Sequence, residues 1–160
     1  MNTTSRRRLQ TGFTLIEILI VVVILGILAA IVLSLFGTSS QNAQRTAFAT
    51  SGRILTDAAV RYRLDTRDYL EDAASGVLPI GFAPYIQETA WGETPIGGVW
   101  DTELNSFGVT AALGVHFDGT GETRGDLYML GLDDMMDDGD LTSGEFRKLA
   151  ADRYYFVLAD

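Results

Sequence analysis

Cysteine is absent from this chain of 160 residues. Disulfides and thiolate metal sites are therefore excluded, and an extracytoplasmic domain has to fold on its core alone. Histidine occurs once, at His116, and the sequence gives no Ser-His-Asp set around it and no cysteine for a Cys-His pair. A glycine loop that follows a strand and opens a helix, as phosphate binding requires, is also missing. Positive charge is scarce, with 12 Lys and Arg against 21 Asp and Glu and a formal net charge of −9. Three of those arginines (Arg6, Arg7, Arg8) lie in Met1–Gly12, which has no acidic residue, so the remainder carries nine basic and 21 acidic groups. Such a surface repels phosphate backbones and excludes a nucleic-acid partner. In so acidic a chain carboxylate pairs carry no catalytic information, and the sequence reads as that of a non-enzyme.

What is present is one long apolar run. From Phe13 to Phe36 the only charged residue is Glu17, and from Ile18 onward the side chains are almost wholly Ile, Val, Leu and Ala. About 20 apolar residues cross a bilayer as a helix, because lipid offers backbone groups no other partner. The arginines precede the run and little positive charge follows until Arg45, so the N-terminus is expected in the cytoplasm and the C-terminal region outside it. A secretory signal has a shorter apolar core followed by small residues at its cleavage site. Here the run is long and the Gly12–Phe13 junction lies before it. Glu17 is the anomaly: a charge in hydrocarbon costs several kcal/mol unless it is paired or neutralised.

The residues Gly12-Phe13-Thr14-Leu15-Ile16-Glu17, followed by Val23-Ile24-Leu25-Gly26-Ile27-Leu28-Ala29-Ala30, resemble the type IV prepilin family, which includes pilins and type II secretion pseudopilins. The resemblance implies cleavage by a prepilin peptidase between Gly12 and Phe13 and methylation of the new amino group of Phe13. It further implies that Glu17 faces the N-terminal ammonium of its own or a neighbouring subunit during filament assembly, so that only the correct stagger satisfies it. The implied partners are the prepilin peptidase, sibling pilin or pseudopilin subunits, and an assembly platform with its ATPase, at a bacterial inner membrane spanned once. Many major pilins kink their helix with proline where this chain has Ser34, so that kink is missing, while Gly26 still offers a weak point. Major pseudopilins often end the long helix with a pattern like Tyr62-Arg63-Leu64-Asp65 … Tyr69, normally followed by proline; here Leu70 follows. The rival reading is an uncleaved, membrane-anchored extracytoplasmic binding domain.

Beyond the membrane, Ala43, Ala47, Phe48, Leu55, Ala58, Ala59, Tyr62 and Tyr69 fall at helical spacings among polar residues, predicting an amphipathic continuation through residue 70. As one helix, Phe13 to Tyr69 would reach about 85 Å. Glu71–Val99 holds all three prolines and Trp91 and reads as a structured loop, with helical turns expected around Pro84–Thr89. Phe107, Val109, Ala111, Leu113, Val115 and Phe117 alternate, predicting a half-buried strand with His116 on its other face. Val99–Leu104 and Arg153–Leu158 are further strands, and Asp126–Asp137 a short helix. The expected fold is α+β: a long N-terminal helix packed on a small antiparallel sheet, a pilin-like lollipop. Its segments are a leader (1–12), an assembly helix (13–36), its amphipathic continuation (37–70) and a globular domain (71–160). No cofactor is required by this reading. Asp134, Asp138, Asp140 and Glu145 nonetheless fit part of the calcium-loop spacing, with Met136 where a second carboxylate belongs, and some pseudopilins hold calcium near the C-terminus.

Overall fold

The computed structural model describes residues 13–87 and 90–160, the side chains of residues 34–38 excepted. The basic leader, Gly12, the Ser34 side chain and the Thr89 end of the expected helical turns lie outside the described residues. The chain divides into two compact units, Met1–Gln41 and Asn42–Asp160. Helix α1, Leu15–Thr66, belongs to both. Within the first unit, Leu15–Leu33 is long and apolar enough to cross a membrane, and none of it is buried against the chain.

In the second unit the helical spacing works as anticipated. Phe48, Leu55, Ala58 and Ala59 are buried in the core, being three, four and seven residues apart on one face. Gly52 lies on the same face for a different reason. A Cβ there would come within 2.5 Å of the Phe156 ring, so the glycine is a notch cut for an aromatic side chain. Helix α1 stops at Thr66, three residues before the expected end at Tyr69. Arg67 adopts φ 68°, a left-handed conformation that breaks the helical run. Thr66 Oγ1 donates to the Tyr62 carbonyl (2.8 Å) and accepts from the Asp68 amide (3.2 Å).

The loop that follows contains one short 3-10 turn, Ala83–Tyr85. Strands β1 (Val99–Ser106) and β2 (Val109–His116) precede helix α2 (Asp126–Met136), then β3 (Phe146–Ala150) and β4 (Arg153–Ala159). The sheet is antiparallel throughout, in the order β1-β2-β4-β3. The fold is therefore α+β. Phe107 is not part of the strand that its alternation suggested. Ser106 pairs with Val109, and Phe107 and Gly108 form the two-residue turn at φ 51° and 84°, the positive values a tight hairpin requires. Val109 also departs from the expected face: it clusters with Ala112 and Tyr155, not with the main core. Strand β3 stands where a calcium-loop helix would have followed Glu145.

Trp100 pairs with Val115 and Thr102 with Leu113 on the core-facing side of the sheet. There Trp100 stacks on Phe48, with centroids 5.0 Å apart and planes 12° from parallel. Trp91 meets Phe82 edge-on at 5.8 Å. Trp100 is buried in the core over α1, and the half-buried Trp91 packs against its edge. Asp101 and Glu103, alternating with those residues, point to the sheet's opposite side.

Candidate functional site

The first turn of α1 is a capping box. Thr14 precedes the helix, and its Oγ1 accepts from the Glu17 amide (3.3 Å). In return Glu17 Oε2 accepts from the Thr14 amide (2.7 Å) and from Thr14 Oγ1 (2.7 Å). The pattern T-x-x-E before an apolar run is a helix-start signal, and it holds the Glu17 carboxylate against the backbone. Phe13 is exposed beside it. The sequence reading singled out Glu17 but overlooked Thr14, although the three-residue spacing was legible.

The second candidate lies at the C-terminal end of α2. Asp133, Asp137 and Asp138 each offer a carboxylate oxygen within 4.8 Å of the others. Asp133 is completely buried, and neither of its oxygens has a hydrogen-bond partner among the described residues. Burial, with Asp137 and Asp138 adding to it, pushes its carboxyl up to about 6, while the amides of Asp140 and Gly139 pull weakly the other way. Asp137 Oδ2 accepts from the amides of Glu145 and Phe146, and Asp138 accepts from the Asp140 amide (2.9 Å) and Ser143 Oγ (2.8 Å). Of the expected calcium set, only Asp138 joins this cluster. Asp140 turns instead to Thr142, whose hydroxyl and amide hold its carboxyl below the usual range. Glu145 contributes its amide to Asp137, and Asp134 lies beside Gly139. Three carboxylate donors, one of them the buried and unpartnered Asp133, suit a hard cation. Asp133 was missed because its place on α2 hides it from a loop-spacing pattern.

The third site covers the sheet face opposite α1. His116 Nδ1 lies 2.6 Å from Ser75 Oγ, and His116 Nε2 lies 3.2 Å from Asp152 Oδ2. The structure therefore does bring together a serine, the single histidine and an aspartate, which the sequence reading did not foresee. Their arrangement fastens rather than reacts. Ser75 Oγ–H also donates to Asp101 Oδ2 (3.1 Å), so the serine bridges the histidine ring and a carboxylate of β1. Beside them Arg153 Nη1 bonds to Asp101 Oδ2 (2.8 Å), Glu103 Oε1 and Tyr155 Oη. Burial raises the Glu103 carboxyl, and the adjoining Arg153 opposes that shift. Burial and the Asp101 carboxylate raise the Tyr155 phenol. The layer anchors the Ser75 loop to the sheet.

Residues 7–33 match the family described as the prokaryotic N-terminal methylation motif. This segment is of the prepilin type. The chain is also similar to the type II secretion system core protein G of Pseudomonas aeruginosa, with 44% identity over 64 residues, 40% of this chain and 45% of that protein. The protein of the same name from Vibrio cholerae is 41% identical over 65 residues, 41% of this chain and 44% of its own length. The chain thus spans under half the length of the curated relatives it matches. No solved structure gives a significant match.

Proposed function

We propose that this chain is a filament subunit of a type II secretion pseudopilus or a related type IV pilus-like fibre. The supporting observation is the pairing of a prepilin-type segment with an apolar stretch, Leu15–Leu33, that its own chain leaves wholly uncovered. A helix with that much unburied apolar surface needs lipid or other such helices. In this reading the precursor rests in the bacterial inner membrane with its N-terminus cytoplasmic and residues 71–160 outside. A prepilin peptidase cuts between Gly12 and Phe13 and methylates Phe13. An assembly platform and its ATPase then add the subunit to its siblings. Glu17, held at the helix start by Thr14, meets the N-terminal ammonium of its own or a neighbouring subunit, and that pairing sets the stagger.

Mass spectrometry of the mature chain tests the reading. N-methyl-Phe13 at the N-terminus is the expected result. An intact Arg6–Arg8 leader in cells with active peptidase would overturn it in favour of an uncleaved, anchored binding domain.

We further propose that calcium binds at the end of α2, with Asp133, Asp137 and Asp138 as side-chain ligands, in place of the set expected from loop spacing. A divalent ion there supplies the charge partner that Asp133 lacks and fixes the turn leading into β3.

A further inference from the structure

Charge is unevenly divided along the chain. Residues 42–67 hold five arginines and two aspartates, whereas residues 68–160 hold four basic side chains and eighteen acidic ones. Those four, Arg124, Arg147, Lys148 and Arg153, are all ion-paired. Arg53, Arg61, Arg63 and Arg67 are exposed, and none has a salt bridge among the described residues. Arg53, Val60 and Leu64 lie seven and four residues apart, a single stripe on α1, and Arg67 follows just beyond the helix end. Within it Val60 is 51% and Leu64 74% exposed. The stripe borders a groove of about 370 Å³ lined also by Arg63, Tyr69 and Leu158. Arg63 stacks over the Tyr69 ring at 4.1 Å, which orders the guanidinium without neutralising it. The surface is apolar at its centre and basic at its rim, and nothing among the described residues covers it.

The complement of that surface is on the same molecule. In the loop after α1, Glu71, Asp72, Val77 and Ile80 are all exposed, Ile80 by 79%. Glu71 Oε1 accepts from the Ile80 amide (2.8 Å), so the acidic and apolar ends of this loop lie together. Neither Glu71 nor Asp72 has an ion pair among the described residues.

We infer that the groove beside Val60, Leu64 and Arg67 receives the Glu71–Ile80 loop of a second copy of this chain. The two surfaces differ, so the contact is head-to-tail. Repeated, such a contact produces an open fibre where its rotation does not close a ring. Opposite charge at the rim sets the register, and the exposed Val60, Leu64, Val77 and Ile80 lose their water on contact. The inference rests on the filament reading and adds a specific interface to it.

The test uses the full-length chain carrying Arg63→Lys and Arg67→Lys, which keep the charge and supply amines for carbodiimide coupling. Filaments grown from an equal mixture of ordinary and ¹⁵N-labelled subunits are coupled, digested and analysed by mass spectrometry. Isopeptide links from position 63 or 67 to Glu71 or Asp72 that join the two isotopes are expected. Links confined to one isotope, to carboxylates outside the loop or to another protein would overturn the inference. In parallel, Arg63→Glu with Arg67→Glu, or Glu71→Arg with Asp72→Arg, should each lower filament yield at least tenfold, and their combination should restore it. Equal loss in all three would count against the pairing. If the parent chain is not processed at Phe13 and forms no filaments, the filament reading fails and this interface falls with it. If filaments form without mixed-isotope links, only the interface falls.

Discussion

Glu17 and Asp133 are both carboxylates whose surroundings set their cost, and they resolve it differently. Glu17 is held by the Thr14 amide and hydroxyl at 2.7 Å, so its place at the helix start is locally satisfied before any neighbour arrives. Two roles can therefore be separated by substitution. Thr14→Ala removes the cap alone, at a cost of about 1 kcal/mol. Glu17→Ala removes the cap and the pairing charge, so leader removal should persist while filament incorporation falls far below that of Thr14→Ala. Pelleted-fibre yield beside N-terminal mass spectrometry measures both, and equal yields would reduce Glu17 to a capping residue. Asp133 has no hydrogen-bond partner among the described residues, and burial, with Asp137 and Asp138 adding to it, raises its carboxyl from 3.8 to about 6. A carboxyl raised in the folded state stabilises the fold fully below its unfolded value. That contribution is lost as pH rises through about 6. The metal-free parent chain should therefore lose Tm between pH 4 and pH 6.5 relative to Asp133→Asn, which has nothing to titrate there. Calcium should raise the parent Tm at pH 7 and leave the variant nearly unmoved; the same calcium response in both would remove Asp133 from the site.

At the level of elements, long periodic patterns were legible and short edges were not. The core face of α1 could be read because Phe48, Leu55 and Ala58 repeat at helical spacing over many turns. Strands β1 and β4 announced themselves by β-branched and aromatic residues. Strand β3, Phe-Arg-Lys-Leu-Ala, did not: it is five residues long, lies at the sheet edge and carries two cations that remain partly exposed. Phe107 misled because strand alternation continues unbroken through the turn, and only the Phe107–Gly108 pair marks the reversal. The candidate cation site was half visible. Asp138 was seen in the acidic run, but Asp133 reaches the cluster from helix geometry that loop spacing does not encode. Gly52, a residue type that weakens a helix by its propensity alone, is here a packing requirement. Gly52→Val would drive a branched side chain into Phe156, so we expect a loss of about 1–3 kcal/mol in chemical denaturation, despite valine's better helix propensity. A neutral or stabilising result would mean that the Phe156 ring moves freely aside.

For the whole molecule, the division of charge between the arginines of residues 42–67 and the acidic remainder makes association between copies salt-sensitive. At 0.15 M ionic strength screening acts over about 8 Å, so rim contacts survive at short range while longer-range attraction is damped. The polar layer under the Ser75 loop has a different kind of consequence. Its bonds join residues 41, 36 and 52 positions apart in the chain, whereas the two hairpins close across two residues each. Loop-closure entropy delays distant contacts, so the hairpins form before this clasp. In the native state the Ser75 loop, which is only partly buried, is expected to open more readily than the centre of the sheet. The Gly76 amide, bonded to the Trp100 carbonyl at 3.0 Å, should exchange with deuterium well before the Leu113 amide at the centre of the sheet. His116→Ala should widen that gap further, marking a local opening that leaves the rest of the domain folded.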